Sequence, residues 1–293
     1  MLSKYKTYLI EQQGVSKSTY DAYVRDVTTF LSYVDISVSH NIEAVCQSDI
    51  EGFRKALERN GKTNATINRC IASVKSFYRF LKLSGLNVVD PTEDLHAVKT
   101  QRKLPAILSG KDVDKLLNSP DIHTPKGCRD KAMLELLYAT GMRVSELLEL
   151  ELDDVQLKRG LVCCRSGNVI RTIPVYAAAK NAVQDYLLRV YPYYSRSDNK
   201  SLFINMNGSR LTRQGFWKIV RQYADELGLG EKITPHTLRH SFAAHLIENG
   251  ASVEDVKEML GHADISSTQI YAQIVNNRFK DTYNRCHPRA KSV

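Results

Sequence analysis

Along the first 95 residues, apolar side chains recur three and four positions apart. Tyr20, Tyr23, Val27, Phe30, Leu31 and Val34 form one stripe, and Ile67, Ile71, Val74, Tyr78 and Leu81 form another. That period puts each set on one face of an α-helix. Ser48 followed by Glu51 predicts a capping box and a helix start. Thr63 precedes the second stripe and Gly85 follows it, as start and stop signals do. Residues 1–95 therefore predict an all-α bundle.

The pattern breaks at HAVKTQRKLP, 96–105, a polar, basic stretch ending in proline that reads as a linker. The next domain, 106–293, opens with a capped helix at Ser109 and Asp112. A longer one carries Met133, Leu134, Leu137 and Tyr138 and ends at Gly141. In LVCCRSGNVIRTIPVY, 161–176, β-branched runs flank Ser-Gly-Asn and predict a β-hairpin. SLFIN, 201–205, predicts a third strand closed by the Asn207-Gly208 turn. Helices follow at about 177–190, 213–227, 235–249, 253–260 and 267–273. The fold class is mostly α, in two domains, with a small antiparallel sheet in the second.

Composition narrows the class of partner. Of 293 residues, 43% are hydrophobic, which supports a packed core and excludes global disorder. The net charge is +9, of which +7 lies beyond residue 100. Such a balance favours polyanions, nucleic acid above all. Lys75, Arg79 and Lys82 stand at i, i+4 and i+7, either as a solvated face or as a ridge lying along phosphates. Arg213, Lys218 and Arg221 share another helix, with Phe216, Ile219, Val220 and Tyr223 on its buried side. Six cysteines, Cys46, Cys70, Cys128, Cys163, Cys164 and Cys286, form no C-x-x-C pair and read as reduced thiols. No apolar run approaches the roughly 18 residues of a membrane span, so the expected setting is the cytoplasm, without a membrane partner.

The chemistry concentrates in TPHTLRHSF, 234–242. Thr234 is a good N-cap and Pro235 fits the first helical position. His236 and Arg239 then share the face where free N–H groups and the positive dipole end favour an anion. His236 and His240 lack the Glu of a zinc-binding H-E-x-x-H and any third ligand, so no metal is expected. His240 and His245 read as core hydrogen-bonding residues. Arg143 follows Gly141 in YATGMRVSELLEL, 138–150. His262 follows Gly261, and Tyr271 lies nine residues further on.

The ordered set A-T-G-x-R-x-S-E, H-x-L-R-H, L-G-H and a Tyr nine residues later resembles the tyrosine recombinase (phage integrase) family, in particular its Xer-type members. The resemblance spans essentially the whole chain. It implies a SAM-like core-binding domain at 1–95 and a catalytic domain at 106–293, clamped on double-stranded DNA, with salt-sensitive binding. It implies a metal- and ATP-independent site-specific recombinase without cofactor. Tyr271 would attack phosphorus to give a 3′-phosphotyrosyl link, with Arg143 and Arg239 on the nonbridging oxygens and His262 hydrogen-bonded to one. His236 would act as base or as a phosphate hydrogen-bonding group. Glu146 would support Arg143 or form an ordinary helix ion pair. The family pattern G-K-G-x-x-x-R-x-x-P departs here: aligning Gly167, Arg171 and Pro174 puts Ser166 where the acid Lys stands. Arg165, Lys158 or water would have to substitute. The resemblance further implies a tetramer with itself or a paralogous recombinase on two duplexes. The C-terminal tail, with Phe279 and Tyr283, would dock into a neighbouring protomer or pack on its own domain. Two alternatives stay open: a type IB topoisomerase, and a DNA-binding protein with weakened cleavage.

Overall fold

A computed structural model describes residues 1–34, 42–86, 88–95, 97–98, 105–166, 169–196, 199–230, 233–262, 264–265 and 267–276. The chain divides into two compact units, Met1–Arg102 and Lys103–Val293. The tail residues Phe279, Tyr283 and Cys286 lie outside the described residues.

The first unit contains α1 (Leu2–Glu11), α2 (Lys17–Tyr33), α3 (Gln47–Arg59) and α4 (Asn64–Leu83). Val27, Phe30, Ile67, Val74, Tyr78 and Leu81 of the expected stripes are buried, and Tyr20, Tyr23, Leu31, Val34 and Ile71 pack around them. Tyr5, Phe53 and Phe77 complete this core. Thr63 caps α4 by accepting from Thr66 N at 3.3 Å. Gly85, at φ +82°, follows its end. The start of α3 differs from the expected Ser48–Glu51 box. Its N-cap is Cys46, whose N–H donates to the Asp49 carboxylate at 2.9 Å. With the helix starting two residues earlier, Ser48 lies inside its first turn, and Asp49 rather than Glu51 stands three residues after the cap. Lys75, Arg79 and Lys82 are all exposed along α4. Part of the expected linker is pinned: the Asn68 side-chain amide exchanges two 2.9 Å hydrogen bonds with the Val98 backbone. Residues 96 and 99–104 lie outside the described residues.

The second unit contains α5 (Gly110–Asn118), α6 (Pro125–Thr140), α7 (Val144–Glu149), β1 (Val155–Gln156), β2 (Leu161–Ser166), β3 (Val169–Pro174), α8 (Ala177–Arg189), α9 (Tyr191–Tyr194), α10 (Arg213–Glu226), α11 (Pro235–Glu248) and α12 (Val253–Leu260). A last helix, α13, spans 267–276. The expected hairpin is β2–β3, with Cys164 opposite Arg171 and Arg165 opposite Ile170. Cys163 and Cys164 face opposite sides, and only Cys164 is fully buried.

The third strand is not SLFIN but β1, which pairs with β2. Leu202, Phe203 and Ile204 are buried in succession, without the alternation of a half-exposed strand. Their backbone forms only isolated bridges, Glu151 with Ser201 and Ile204 with Arg210.

Gly141 ends α6 at φ +57°. A Cβ there would fall 2.2 Å from Phe242 Cδ1. Both the left-handed backbone and the close approach demand glycine. Gly141→Ala should therefore cost about 2 kcal/mol or more, read as a lower urea midpoint with an unchanged denaturant slope.

Candidate active site

Three segments of the second unit converge around one guanidinium. Arg239, in the second turn of α11, is only 5% exposed. Its Nη1 donates to Gly141 O at 2.5 Å. Its Nη2 donates to Leu260 O at 2.8 Å and contacts His262 Nε2 at 2.9 Å. The two carbonyls sit at the C-terminal ends of α6 and α12, where helices leave acceptors unsatisfied. Burial, with Arg143 nearby, pushes Arg239 down to about 10, so it stays charged at neutral pH.

Arginine only donates, so His262 Nε2 accepts. The proton of His262 is then on Nδ1 and donates to Thr268 Oγ1 at 2.9 Å. Burial and the cations Arg239, Arg143 and Arg171 push His262 down to about 4, which keeps the ring neutral. Thr268 is fully buried and lies on α13. It escaped the sequence reading because a threonine near a helix start carries no distinguishing signal.

Arg143 is the N-cap residue of α7. Its N–H donates to Glu146 Oε2 at 2.8 Å, its Nη1 to Glu146 Oε1 at 2.9 Å, and its Nη2 to Gly261 O at 3.4 Å. The side chain stays 36% exposed, open to a ligand at one end and held at the other.

Glu146 has a second, more buried partner. Arg171 on β3 grips both carboxylate oxygens, at 3.1 and 2.6 Å, and donates from Nε to Met259 O at 2.7 Å. Sequence reading used Arg171 only as an alignment mark. A lone arginine on a strand carries no local signal of its burial against a carboxylate 25 residues away. Gly261, at φ +62°, leaves room for it: a Cβ there would lie 2.9 Å from Arg171 Nη1.

His236 is exposed in the first turn of α11, beyond the Thr234 cap, which accepts from Thr237 N at 3.3 Å. Loss of hydration and the charges of Arg239, Arg213 and Arg143 lower its pKa. Arg213 opens α10, and both it and Lys218 are exposed. Arg221 is instead tied to Asp225 at 3.1 Å and lies 5.9 Å from the Trp217 ring centroid.

Tyr271 does not stand open beside the arginines. It is 2% exposed, packed with Phe242, Ala243, Val256 and Leu260. Its hydroxyl bonds His240 Nδ1 at 2.8 Å. Burial raises its pKa, a shift that Arg239 partly offsets. His240 was expected only as a core residue; its partner is the expected nucleophile. His245 fits that expectation, bridging Tyr138 Oη at 2.8 Å and Leu108 O at 2.9 Å.

The two acid candidates separate by place. Arg165 ends the hairpin arm and pairs with Asp154 at 2.8 Å, while 58% exposed. Lys158 is exposed in the turn between β1 and β2, at the opposite end of β2. At about 3.3 Å per residue, the seven positions to Arg165 would span roughly 23 Å if fully extended. Gly167 lies outside the described residues. Among the described residues, no group of three or more His, Cys, Asp or Glu side chains is placed to hold a metal. No helix among them is long and apolar enough to cross a membrane.

The arrangement is a positively charged, donor-rich cradle with a phenol stored behind it, a combination suited to a phosphodiester and a covalent tyrosyl ester. Residues 106–278 match the phage integrase family, and residues 2–85 match the phage integrase N-terminal SAM-like domain. The chain is 43% identical to the tyrosine recombinase XerD of Listeria innocua over 99% of both chains. It is 44% identical to that of Oceanobacillus iheyensis, covering 97% of this chain and 96% of the other. Among solved structures it resembles the XerA recombinase, with 25% identity, a TM-score of 0.55 and 98% of both chains covered. It also shares its fold with the XerH site-specific recombinase in a post-cleavage complex with palindromic difH substrate. There the TM-score is 0.79 at 20% identity, over 97% of this chain and 84% of the other. The chain belongs to the phage integrase family. Within it, this is a site-specific tyrosine recombinase of the Xer type.

Glu146 supplies a pH test of the cradle. Hydrogen bonds from Arg171 and Arg143 outweigh its loss of hydration and hold its pKa below the ordinary 4.5. Its stabilisation is thus complete above the unfolded value and is lost as pH falls through the lower folded value. Wild type and Glu146→Gln should differ in urea midpoint at pH 7, and the gap should narrow as pH falls below about 4.

Proposed function

We propose that this chain cuts and rejoins double-stranded DNA through a 3′-phosphotyrosyl intermediate on Tyr271. The observation that carries the reading is Arg239, because three separated segments, 141–143, 235–239 and 260–262, meet on its guanidinium. A phosphate oxygen lying beside Arg239 and Arg143 would meet donors already oriented, which favours charge developing at phosphorus.

In the cutting step the Tyr271 oxygen forms a bond to phosphorus, and the bond from phosphorus to the 5′-oxygen breaks with its electron pair. The phenol proton leaves to a base, for which exposed His236 is the candidate, and the leaving oxygen takes up a proton. A 5′-hydroxyl from a second strand then reverses the step. One phosphodiester is exchanged for another, so the ester bond itself conserves the energy and ATP is not required. The guanidinium groups supply the positive charge that a nicking metal would otherwise bring. His262 reaches a nonbridging oxygen once its Nε2 is released by Arg239 and carries the ring proton in place of Nδ1.

Arg165 is the better-placed aid to the leaving oxygen, since it sits by the hairpin tip. Guanidinium is a poor acid, so its help is electrostatic. Exposed Lys75, Arg79 and Lys82 on α4, with Arg213 and Lys218 on α10, supply the backbone contacts to DNA. Recombination joins two duplexes, so the working assembly is a tetramer of this chain, alone or with a paralogous recombinase. Its role is chromosome-dimer resolution or mobile-element exchange.

Incubation with nicked genomic fragments should trap a covalent protein–DNA adduct, and sequencing the captured DNA should return one site. Tyr271→Phe should abolish the adduct while sparing affinity, and Arg143→Ala should slow it by about 10²–10³-fold. Binding without any adduct would leave a DNA-binding protein; relaxation of supercoils without strand exchange would leave a topoisomerase.

Arg165→Ala should slow cleavage of an ordinary strand more than cleavage of one with an activated 5′-leaving group. Equal slowing on both substrates would remove Arg165 from leaving-group assistance.

A further inference from the structure

The Tyr271 hydroxyl has a single hydrogen-bond partner among the described residues, and it is the His240 imidazole. The rings lie 5.7 Å apart, tilted by 44°. We propose that His240 is a positioning residue that holds the nucleophile in reserve, and that this hydrogen bond must be surrendered before the phenol can face a phosphate. The proposal rests on Tyr271 being the attacking group.

Three observations support it. First, a hydroxyl on a side chain 2% exposed, enclosed by Phe242, Ala243, Val256 and Leu260, is closed to a DNA phosphate. Second, the direction of the bond favours the unreactive form of the phenol. Burial raises the phenol, while burial, His236 and Arg239 push His240 down to about 4. Both groups are therefore neutral, and with no other acceptor for it among the described residues the hydroxyl proton is donated to Nδ1. A general base works best with a pKa near the operating pH, and about 4 lies far below it. His240 is thus a resting partner, distinct from the base that accepts the proton during attack.

Third, the holder is wired to the cradle. His240 follows Arg239 on α11. Both N–H groups of Arg239 Nη2 are occupied, by Leu260 O and His262 Nε2. Either two-pronged grip of a guanidinium on a phosphate uses Nη2, so a phosphate held that way has to displace one of these acceptors. Both lie on the stretch leading into α13, and His262 is bonded in turn to Thr268 on α13 itself. Occupying the cradle therefore loosens the helix that carries Tyr271, coupling phosphate binding to release of the hydroxyl.

The test uses duplexes carrying the captured site, intact for affinity and nicked, at saturating concentration, for rate. His240→Leu removes the acceptor and keeps apolar bulk; His240→Asn keeps an acceptor oxygen near the Nδ1 position. His240→Leu should bind the intact duplex about fivefold more tightly, the factor one ordinary net hydrogen bond supplies, because binding no longer has to break that bond, with the maximal rate of adduct formation on the nicked duplex unchanged. His240→Asn should bind like the wild type. A slower His240→Leu rescued by His240→Asn would make His240 an activating group and overturn the proposal, as would equal affinities in all three proteins. Should His240→Leu not fold, the imidazole nitrogen shifts of the unsubstituted chain decide. Binding the intact duplex should move the His240 Nδ1 resonance to its position in Tyr271→Phe, and an unmoved resonance overturns the proposal. Failure of the underlying reading is separate: no adduct with the wild-type chain, or an adduct that survives Tyr271→Phe.

Discussion

A guanidinium buried to 95% has to find acceptors inside the protein, and the second unit is arranged around meeting that demand at Arg239. The acceptors come from places where backbone already has carbonyls to spare. Gly141 O and Leu260 O stand at the ends of α6 and α12, each closed by a glycine in left-handed conformation. Those glycines serve the charge twice over: they expose the carbonyls and allow close approach, Gly141 to Phe242 and Gly261 to Arg171. Among the described residues the one side-chain hydrogen-bond partner is the His262 imidazole, whose proton is thereby placed on Nδ1.

A second ion cluster keeps the first one positive. Glu146 is the carboxylate bonded within it, and Arg171 engages both its oxygens from below while Arg143 bonds it from the open side. Three guanidinium groups against one carboxylate leave an excess of charge with donors already oriented. Burial first, and then the nearby positive charge, hold His236, His240 and His262 below the ordinary imidazole range. The cluster also ties β3 to α7 and to the end of α12, so the hairpin bearing Arg165 shares its anchor with Arg143. The desolvation cost of a cluster like this is not recovered by its contribution to stability alone; the proposed phosphate contact would account for it.

The phenol follows different physics. Tyr271 belongs to a small apolar cluster on α11, α12 and α13, and its burial favours the neutral hydroxyl. The charged cradle and the buried phenol therefore occupy opposite regimes within one helix of each other. They are joined by Arg239 and His240, adjacent on α11, and by the contact of His262 with Thr268.

Much of this was legible in the chain itself. Helical stripes, caps and glycine stops depend on neighbours three or four residues apart, so α2, α4, α8, α10, α11 and α12 could be read directly, along with the pairing of β2 with β3. The spaced motif around Arg143, His236, Arg239, His262 and Tyr271 named the family for the same reason: it survives as an ordered pattern. Contacts between distant segments left no such trace. SLFIN looked like a strand because consecutive apolar residues do not reveal which backbone they will meet. Ser48 looked like a cap because its spacing to Glu51 fits a capping box, while the helix starts two residues earlier, with Cys46 and Asp49 in those places. Arg171 under Glu146, Thr268 beside His262 and His240 on the Tyr271 hydroxyl each join residues 6 to 31 positions apart in the chain. Local periodicity determined the elements, and only packing decided which polar groups would be sealed together, because burial forces each of them to take whatever partner the folded chain brings within reach.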